Sequence, residues 1–530
     1  MASDIIKDDL GHGVPESTFH ITLSPEIWHL IFAELDNLKD LCNVSLTSRT
    51  WQMMAMPHLY KSVPLTPRDV SPLNRDPGAE LQHYNILSTM LEKPENERLR
   101  IVVRELEFGG CDRSGSFSGS ELEPKEKRLL SLVDKLPNLR RIKFGCSVSQ
   151  ETLQRLVGRK NISLYLLDED GKRQFQGELP NVLTLKAAVK GPWLRNVLNQ
   201  DVLGVQKLLF SCPNLKSFSL EVRTPYGGCM MLPPRFPILH HFQFSGNERF
   251  PALEELSLSG YEFWDEERIH RRFWRERFQW AKLRTLKLGP LQQSEFLEGA
   301  KGYATSLQNL TVDIYTDGDE YTDCPPLEEF LASFSSLESL TVRGYIVPLK
   351  PISHHPALKH LILHSFGELE LGNTRHSYSV SDLQELDSIC PHLETLELDL
   401  NRDGEWPEEW LKAIATGFKR LRRLTFHLEL IPKDSEQMDG GGFSPLIEPI
   451  LTTDSAREIG KRFFKWRGEQ SNLNTIILKT GEPLRRYQQR EPPEYRFERS
   501  QAATLEVFRP RIPGDIPEVV KYAKHWREWW

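Results

Sequence analysis

The chain has 530 residues, enough for about three to four ordinary domains or for one long array with a small domain attached. Its 67 Lys and Arg stand against 74 Asp and Glu, and the net charge of −7 excludes both a generally basic nucleic-acid coat and a strongly acidic disordered chain. With 39% hydrophobic residues most of the chain is expected to fold, yet no apolar window of about 18 residues exists to cross a membrane. The start, Met1 to Leu10, is acidic and lacks an apolar core, so it does not read as a secretory signal. Seven cysteines run from Cys42 to Cys390 with no C-x-x-C pair. Two recur in one frame, Cys212-Pro-Asn-Leu and Cys390-Pro-His-Leu, which points to packed free thiols, a reducing compartment, and hence the cytoplasm or nucleus.

Residues 1–20 are expected to be a flexible N-terminus. Residues 21–66 carry three short helical patterns. Ser24 stands as a helix cap before Pro25, with Glu26 in the first turn and Ile27, Leu30, Ile31 and Leu35 along one face. Asp36-Asn37 ends that helix. Leu38, Leu41, Val44 and Ser45 mark a second, and Trp51 and Met54 a third after Thr47-Ser48. Three short helices in about 40 residues make a marginal core, and their apolar positions serve either to dock the helices on one another or on the first repeat, or to meet a partner.

This segment resembles an F-box, through Leu23, Pro25-Glu26-Ile27, Ile31, Leu35, the run Leu38-Leu41-Val44, Arg49 and Trp51. Ser24 departs from the family, which usually has proline there. The resemblance implies docking on a Skp-type adaptor, which bridges to a cullin. It implies contacts from Leu23, Pro25, Glu26, Ile27, Ile31, Leu35, Leu41 and Trp51.

Residues 67–99 read as a proline-rich linker followed by a capping helix. Pro64, Pro67, Pro72 and Pro77 stiffen the connection, and Leu81, Tyr84, Leu87 and Leu91 form an amphipathic face that stops at Pro94.

From residue 100 to 480 a Leu-x-x-Leu-x-Leu template recurs. Copies begin at Leu139, Leu215, Leu253, Leu283, Leu307, Leu337, Leu358, Leu393, Leu421 and Leu473, with Val103 a plausible first copy and Leu239 an ambiguous one. From Leu215 to Leu421 the spacings are 38, 30, 24, 30, 21, 35 and 28 residues. In a strand the fourth and sixth template positions share one face, and the first closes the core from the turn. No copy can bury three such residues alone, so stacked copies are expected to build one parallel sheet with a continuous core. Helix-compatible stretches lie between, as at Ile269, Phe273 and Phe278. Residues 109–127 and 434–444 read as polar loops. This region resembles the leucine-rich repeat family in its irregular intracellular form. Many copies keep Pro-x-Leu before the strand, although the family's Asn or Cys after it is mostly missing.

Residues 481–530 read as a C-terminal cap: an Arg-rich stretch from Arg485 to Arg499, a strand from Thr504 to Phe508, and an aromatic end with Trp526, Trp529 and Trp530. The fold class expected is therefore α/β: a small all-α three-helix F-box, then a leucine-rich-repeat solenoid with its parallel sheet concave and its helices and loops convex.

No P-loop, G-x-S-x-G or dinucleotide fingerprint appears. His360 and His364 imitate H-x-x-x-H, but on a strand they stand about 13 Å apart, too far to share an ion bound at about 2 Å. The Arg/aromatic run 268–280 reads as a charged outer helix, because Asp265, Glu266 and Glu267 adjoin it and net charge is low. No cofactor, metal, nucleic acid or membrane is expected, and no catalysis. The outward template positions form mixed polar rows that suit a protein target better than an enclosed small molecule. Lys287, Arg343, His364, Glu397, Asp399 and His427 are the candidate target contacts on those rows. The expected function is the substrate-recognition subunit of a Skp–cullin–F-box ubiquitin ligase; the alternative is an interaction scaffold that binds the Skp adaptor without a cullin.

Overall fold

The computed structural model describes residues 24–35, 37–65, 89–108, 119–145, 148–168, 177–190, 200–223, 241–263, 269–289, 293–314, 324–365, 377–401, 405–428, 449–468, 471–480, 503–510 and 515–521. The chain forms two compact units, Met1–Lys143 and Phe144–Trp530.

The first unit opens with three helices, α1 (Pro25–Ala33), α2 (Leu38–Ser45) and α3 (Arg49–Leu59). Ser24 is extended at the cap of α1 but its hydroxyl makes no capping bond, and Pro25 supplies the fixed φ of the first turn. Asn37 caps α2 by accepting the Lys39 amide at 2.9 Å, and Ser48 caps α3 by accepting the Trp51 amide at 3.2 Å. After α3 comes β1 (Ser62–Pro64), which pairs in parallel with β2 (Glu105–Phe108). On β2, Glu105 is 4% exposed, yet its carboxylate accepts from Ser62 Oγ at 3.2 Å and pairs with Arg141 at 2.9 Å and Lys143 at 2.5 Å. Those two cations lie on β3 (Arg141–Phe144). The buried charge is thereby compensated.

One expectation changes in this unit. Within the polar loop expected over 109–127, residues 119–127 belong to a helix, Gly119–Lys135, and residues 109–118 lie outside the described residues. Leu129, Leu132 and Val133 within it, and Leu136 just past its end, are buried and anchor it, and the Glu- and Lys-rich half before them extends the same helix. Of the expected capping helix, residues 89–92 are helical and Leu91 is buried; Leu81, Tyr84 and Leu87 lie outside the described residues.

The second unit is a large, mostly parallel sheet. Its first strands are β4 (Ser163–Asp168), β5 (Val182–Lys190), β6 (Ser217–Arg223), β7 (Glu255–Ser259), β8 (Thr285–Leu288) and β9 (Asn309–Asp313). It continues with β10 (Ser339–Arg343), β11 (His360–His364), β12 (Thr395–Leu400), β13 (Arg423–Leu428), β14 (Thr475–Thr480), β15 (Ala503–Phe508) and β16 (Glu518–Lys521). From β4 to β14 each strand pairs in parallel with the next. β15 and β16 close the run antiparallel.

Parallel neighbours need a crossover, and among the described residues helices stand in several of them, as Gln200–Phe210 does between β5 and β6. The register shows why the array holds. Leu256, Leu286, Leu310, Leu340, Leu361, Leu396, Leu424 and Ile476 stand side by side on successive strands, each at most 1% exposed. Their neighbours two residues on, from Leu258 to Leu478, form a second buried row. No strand could bury such a row alone, so each repeat borrows its core from the next, an arrangement consistent with a solenoid.

Two parallel strands of this unit escaped the template. β5 carries Val182-x-x-Leu185-x-Ala187, in which alanine fills the sixth position, in register with Leu220 of β6. β4 joins it through a register shift between Leu164 and Tyr165. The ambiguous copy at Leu239 is not a strand over residues 241–250. Phe242 and Phe244 instead meet the helix Ile269–Arg277, where Phe244 stacks on Phe273 at 3.8 Å and Phe250 sits 4.4 Å from the buried Trp274. The aromatics of the 268–280 run therefore belong to a core. Arg271 of the same helix faces Glu295 and Glu298.

Among the described residues no helix is long and apolar enough to cross a membrane. The Arg-rich stretch 485–499, the loop 434–444, residues 1–20 and the aromatic end 522–530 lie outside the described residues.

Candidate functional site

Helix α1, Pro-Glu-Ile-Trp-His-Leu-Ile-Phe-Ala, is apolar on two sides, and the fold uses them differently. Phe32, Leu41 and Ala55, one from each helix, are the buried centre. Trp28, Leu35, Val44, Trp51, Met54 and Leu59 pack around them. Trp28 and Trp51 lie 4.5 Å apart, and His29 Nδ1 meets His58 Nε2 at 3.2 Å between α1 and α3. Burial, with the neighbouring His29 and Lys61, pushes the His58 imidazole below its ordinary value.

The other side of α1 is uncovered. Ile27 is 43% exposed, Leu30 68% and Ile31 39%, at i, i+3 and i+4, so they form one apolar strip. Leu46, after α2, is 84% exposed and Met53 on α3 is 60% exposed. Exposed Glu26 stands at the start of α1, where its own backbone amide and the Ser24 hydroxyl hold its carboxyl below the usual range. Apolar side chains grouped in this way on a surface are the kind that partner proteins cover. Covering these five side chains would contribute roughly 4–9 kcal/mol gross.

The residues expected at the adaptor divide accordingly. Ile27, Ile31 and Glu26 are on the surface; Leu41 is in the core and Leu35 and Trp51 are packed against it. Pro25 begins α1, and Leu23 lies outside the described residues. Leu46 and Met53 escaped sequence reasoning because each falls outside the helical spacing that defined the inward faces.

The polar rows on the sheet are less open than their composition implied. Lys287 on β8 is exposed. Arg343 on β10 is half-buried and reaches Asp313 of β9 at 3.5 Å. The other four candidates converge. His364 Nδ1 lies 2.8 Å from Asp399 Oδ1, and Asp399 Oδ2 accepts the Ser365 amide at 2.5 Å. His427 Nε2 lies 2.6 Å from Glu397 Oε1, which also accepts from Lys479 Nζ at 2.9 Å. The two imidazoles stack with centroids 3.9 Å apart.

Register explains the convergence. Asp399 pairs with His427 directly, and His427 with Lys479. β11 pairs with β12 up to Ile362 and Glu397, and His364 follows two residues later. Strands two apart in a sheet stand roughly 9.6 Å from each other. For their rings to stack, both histidines must lean inward over the strand that carries Asp399. Asp399 is 2% exposed and both histidines 8%. Burial, with the adjacent His364, pushes His427 down to about 4, so its ring is neutral near pH 7. Burial opposes ionisation of Glu397, but the hydrogen bond from His427 and the charge on Lys479 hold its carboxyl far below the usual range.

A family model described as F-box-like matches residues 25–65, the segment that holds α1, α2, α3 and β1. A search of curated proteins finds no match. The chain thus carries an F-box-like domain ahead of a large, mostly parallel sheet. F-box domains typically bind Skp-type adaptors.

Proposed function

We propose that the protein is the substrate-recognition subunit of a Skp–cullin–F-box ubiquitin ligase. Its F-box docks on a Skp-type adaptor, and its sheet, a leucine-rich-repeat array, holds the target protein. The observation that carries this reading is the uncovered strip Ile27, Leu30 and Ile31 on a domain that matches the F-box-like model.

The chain is a receptor rather than a catalyst in this reading. Its mechanism is proximity: one end is fixed to the ligase and the other grips the target, so target lysines meet ubiquitin at raised effective concentration. The gross gain from covering the strip is comparable to an association cost of about 4–15 kcal/mol. Additional contacts, from Glu26 and from the chain ahead of α1 with Leu23, complete the affinity. On the array, exposed Lys287 and half-buried Arg343 are the members of the candidate rows best placed to meet a target. The protein works in the cytoplasm or nucleus.

Capture of the tagged full chain with its partners tests this. Adaptor together with cullin is the expected result. Adaptor without cullin would make the chain a scaffold, and capture of neither would overturn both.

A further inference from the structure

We propose that His364, Asp399 and His427 form a site for one divalent first-row transition ion, with Zn2+ as the test case. The three residues come from three adjacent strands, and one ligand atom from each lies within 4.8 Å of the others. Nothing local brings them together: 35 residues separate His364 from Asp399, and only the sheet register sets them at one level.

The donor set fits that ion class. Two imidazoles and one carboxylate are borderline ligands that favour Zn2+ and its neighbours over Mg2+ or Ca2+, which take oxygen. Donors around a four-coordinate ion with bonds of about 2.0–2.1 Å sit roughly 3.4 Å apart. The present set is looser than that at its widest and tighter between His364 and Asp399, so small side-chain rotations would seat an ion. A cation entering between His364 Nδ1 and Asp399 Oδ1 would replace their hydrogen bond, with the neutral ring carrying its proton on Nε2 and donating its Nδ1 lone pair.

The surroundings are those of a supported site. Glu397 engages His427 Nε2 and so leaves Nδ1 to coordinate, a carboxylate–histidine arrangement that fixes ring orientation at metal centres. Lys479 neutralises Glu397, so Asp399 is the carboxylate whose charge offsets the cation. Ser365 holds the second oxygen of Asp399 in place. His360, on the same strand as His364, bonds instead to Thr395 and takes no part. Three protein ligands leave a further coordination position, which water or a partner side chain can fill.

The test uses the purified full chain, stripped with chelator and dialysed against Zn2+. The expected result is one tightly held Zn2+ per chain and a raised thermal midpoint. Zn X-ray absorption should show a nitrogen and oxygen shell with imidazole scattering and no sulfur. His427→Ala and Asp399→Asn, checked for native circular dichroism, should each lose that ion. Glu397→Gln should weaken binding by about 10–100-fold without abolishing it. A native chain that holds no stoichiometric Zn2+ at micromolar levels overturns the proposal. So does a sulfur shell, or a folded His427→Ala that binds as tightly as the native chain. If one variant fails to fold, the other and Glu397→Gln localise the ion, and Zn2+ held unchanged by those folded variants would overturn the proposal.

Discussion

Trp28 on α1 and Trp51 on α3 meet with ring centroids 4.5 Å apart, and Phe32 stands 5.7 Å from Trp51. These rings join the first helix to the third, and they separate the two apolar sides of α1. Trp51→Ala should destabilise the helical unit by about 3 kcal/mol, whereas Leu30→Ala, on the uncovered side, should change it by no more than about 0.5 kcal/mol. Urea unfolding followed by circular dichroism at helical wavelengths measures both. Equal costs would mean that the two sides of α1 are not distinct.

The ladder of the sheet makes a second claim. Leu340 stands between Leu310 and Leu361 with no exposed surface. Leu340→Ala should cost about 2–5 kcal/mol, and Lys287→Ala, exposed on its strand, within about 0.5 kcal/mol. A denaturation midpoint unchanged by Leu340→Ala would contradict a continuous core.

His355 offers a pH test. Burial, with His354 nearby, pushes its imidazole down to about 4 from 6.5, and its ring sits 5.0 Å from Phe334. The folded value lies below the unfolded one, so folding favours the neutral ring. That contribution is full above about pH 6.5 and is lost as pH falls toward 4. The stability of the native chain should therefore decline over this window more steeply than that of His355→Phe. Parallel declines in urea titrations at matched pH would refute the assignment.

Much of the array was legible, because its signal is local. Leu256 and Leu258, or Leu424 and Phe426, declare a strand within six residues, and repetition supplied the rest. Ala187 hid β5, since alanine carries too little apolar surface to register as a template position. The helix Gly119–Lys135 was hidden by its polar first half. The helices of the F-box-like segment were legible from Ser24, Asn37 and Ser48, but which side of α1 faces inward was not: Ile27, Leu30 and Ile31 are as apolar as Trp28 and Phe32. His364 looked unfit for a metal when paired with His360, its sequence neighbour. Its structural neighbours are Asp399 and His427, which only the register of three strands identifies.

Thiol chemistry gives a further prediction. Burial pushes the Cys212 and Cys390 thiols up to about 12, and both are almost wholly buried, whereas Cys42 is exposed. Iodoacetamide at pH 8 should label Cys42 in the folded chain and reach Cys212 and Cys390 only after denaturation, as read by peptide mass spectrometry. Rapid labelling of Cys212 in the native chain would contradict its place in the core.

In the proposed function the outer strip of α1 is a partner's landing face. The most direct measurement is calorimetric binding of a purified Skp-type adaptor to the full chain and to a variant carrying Ile27→Ser, Leu30→Ser and Ile31→Ser together. The native chain should bind at or below micromolar concentration, and the folded variant at least about a hundredfold more weakly. A native chain indifferent to the adaptor at that concentration, or a variant that binds it equally well, would contradict the account.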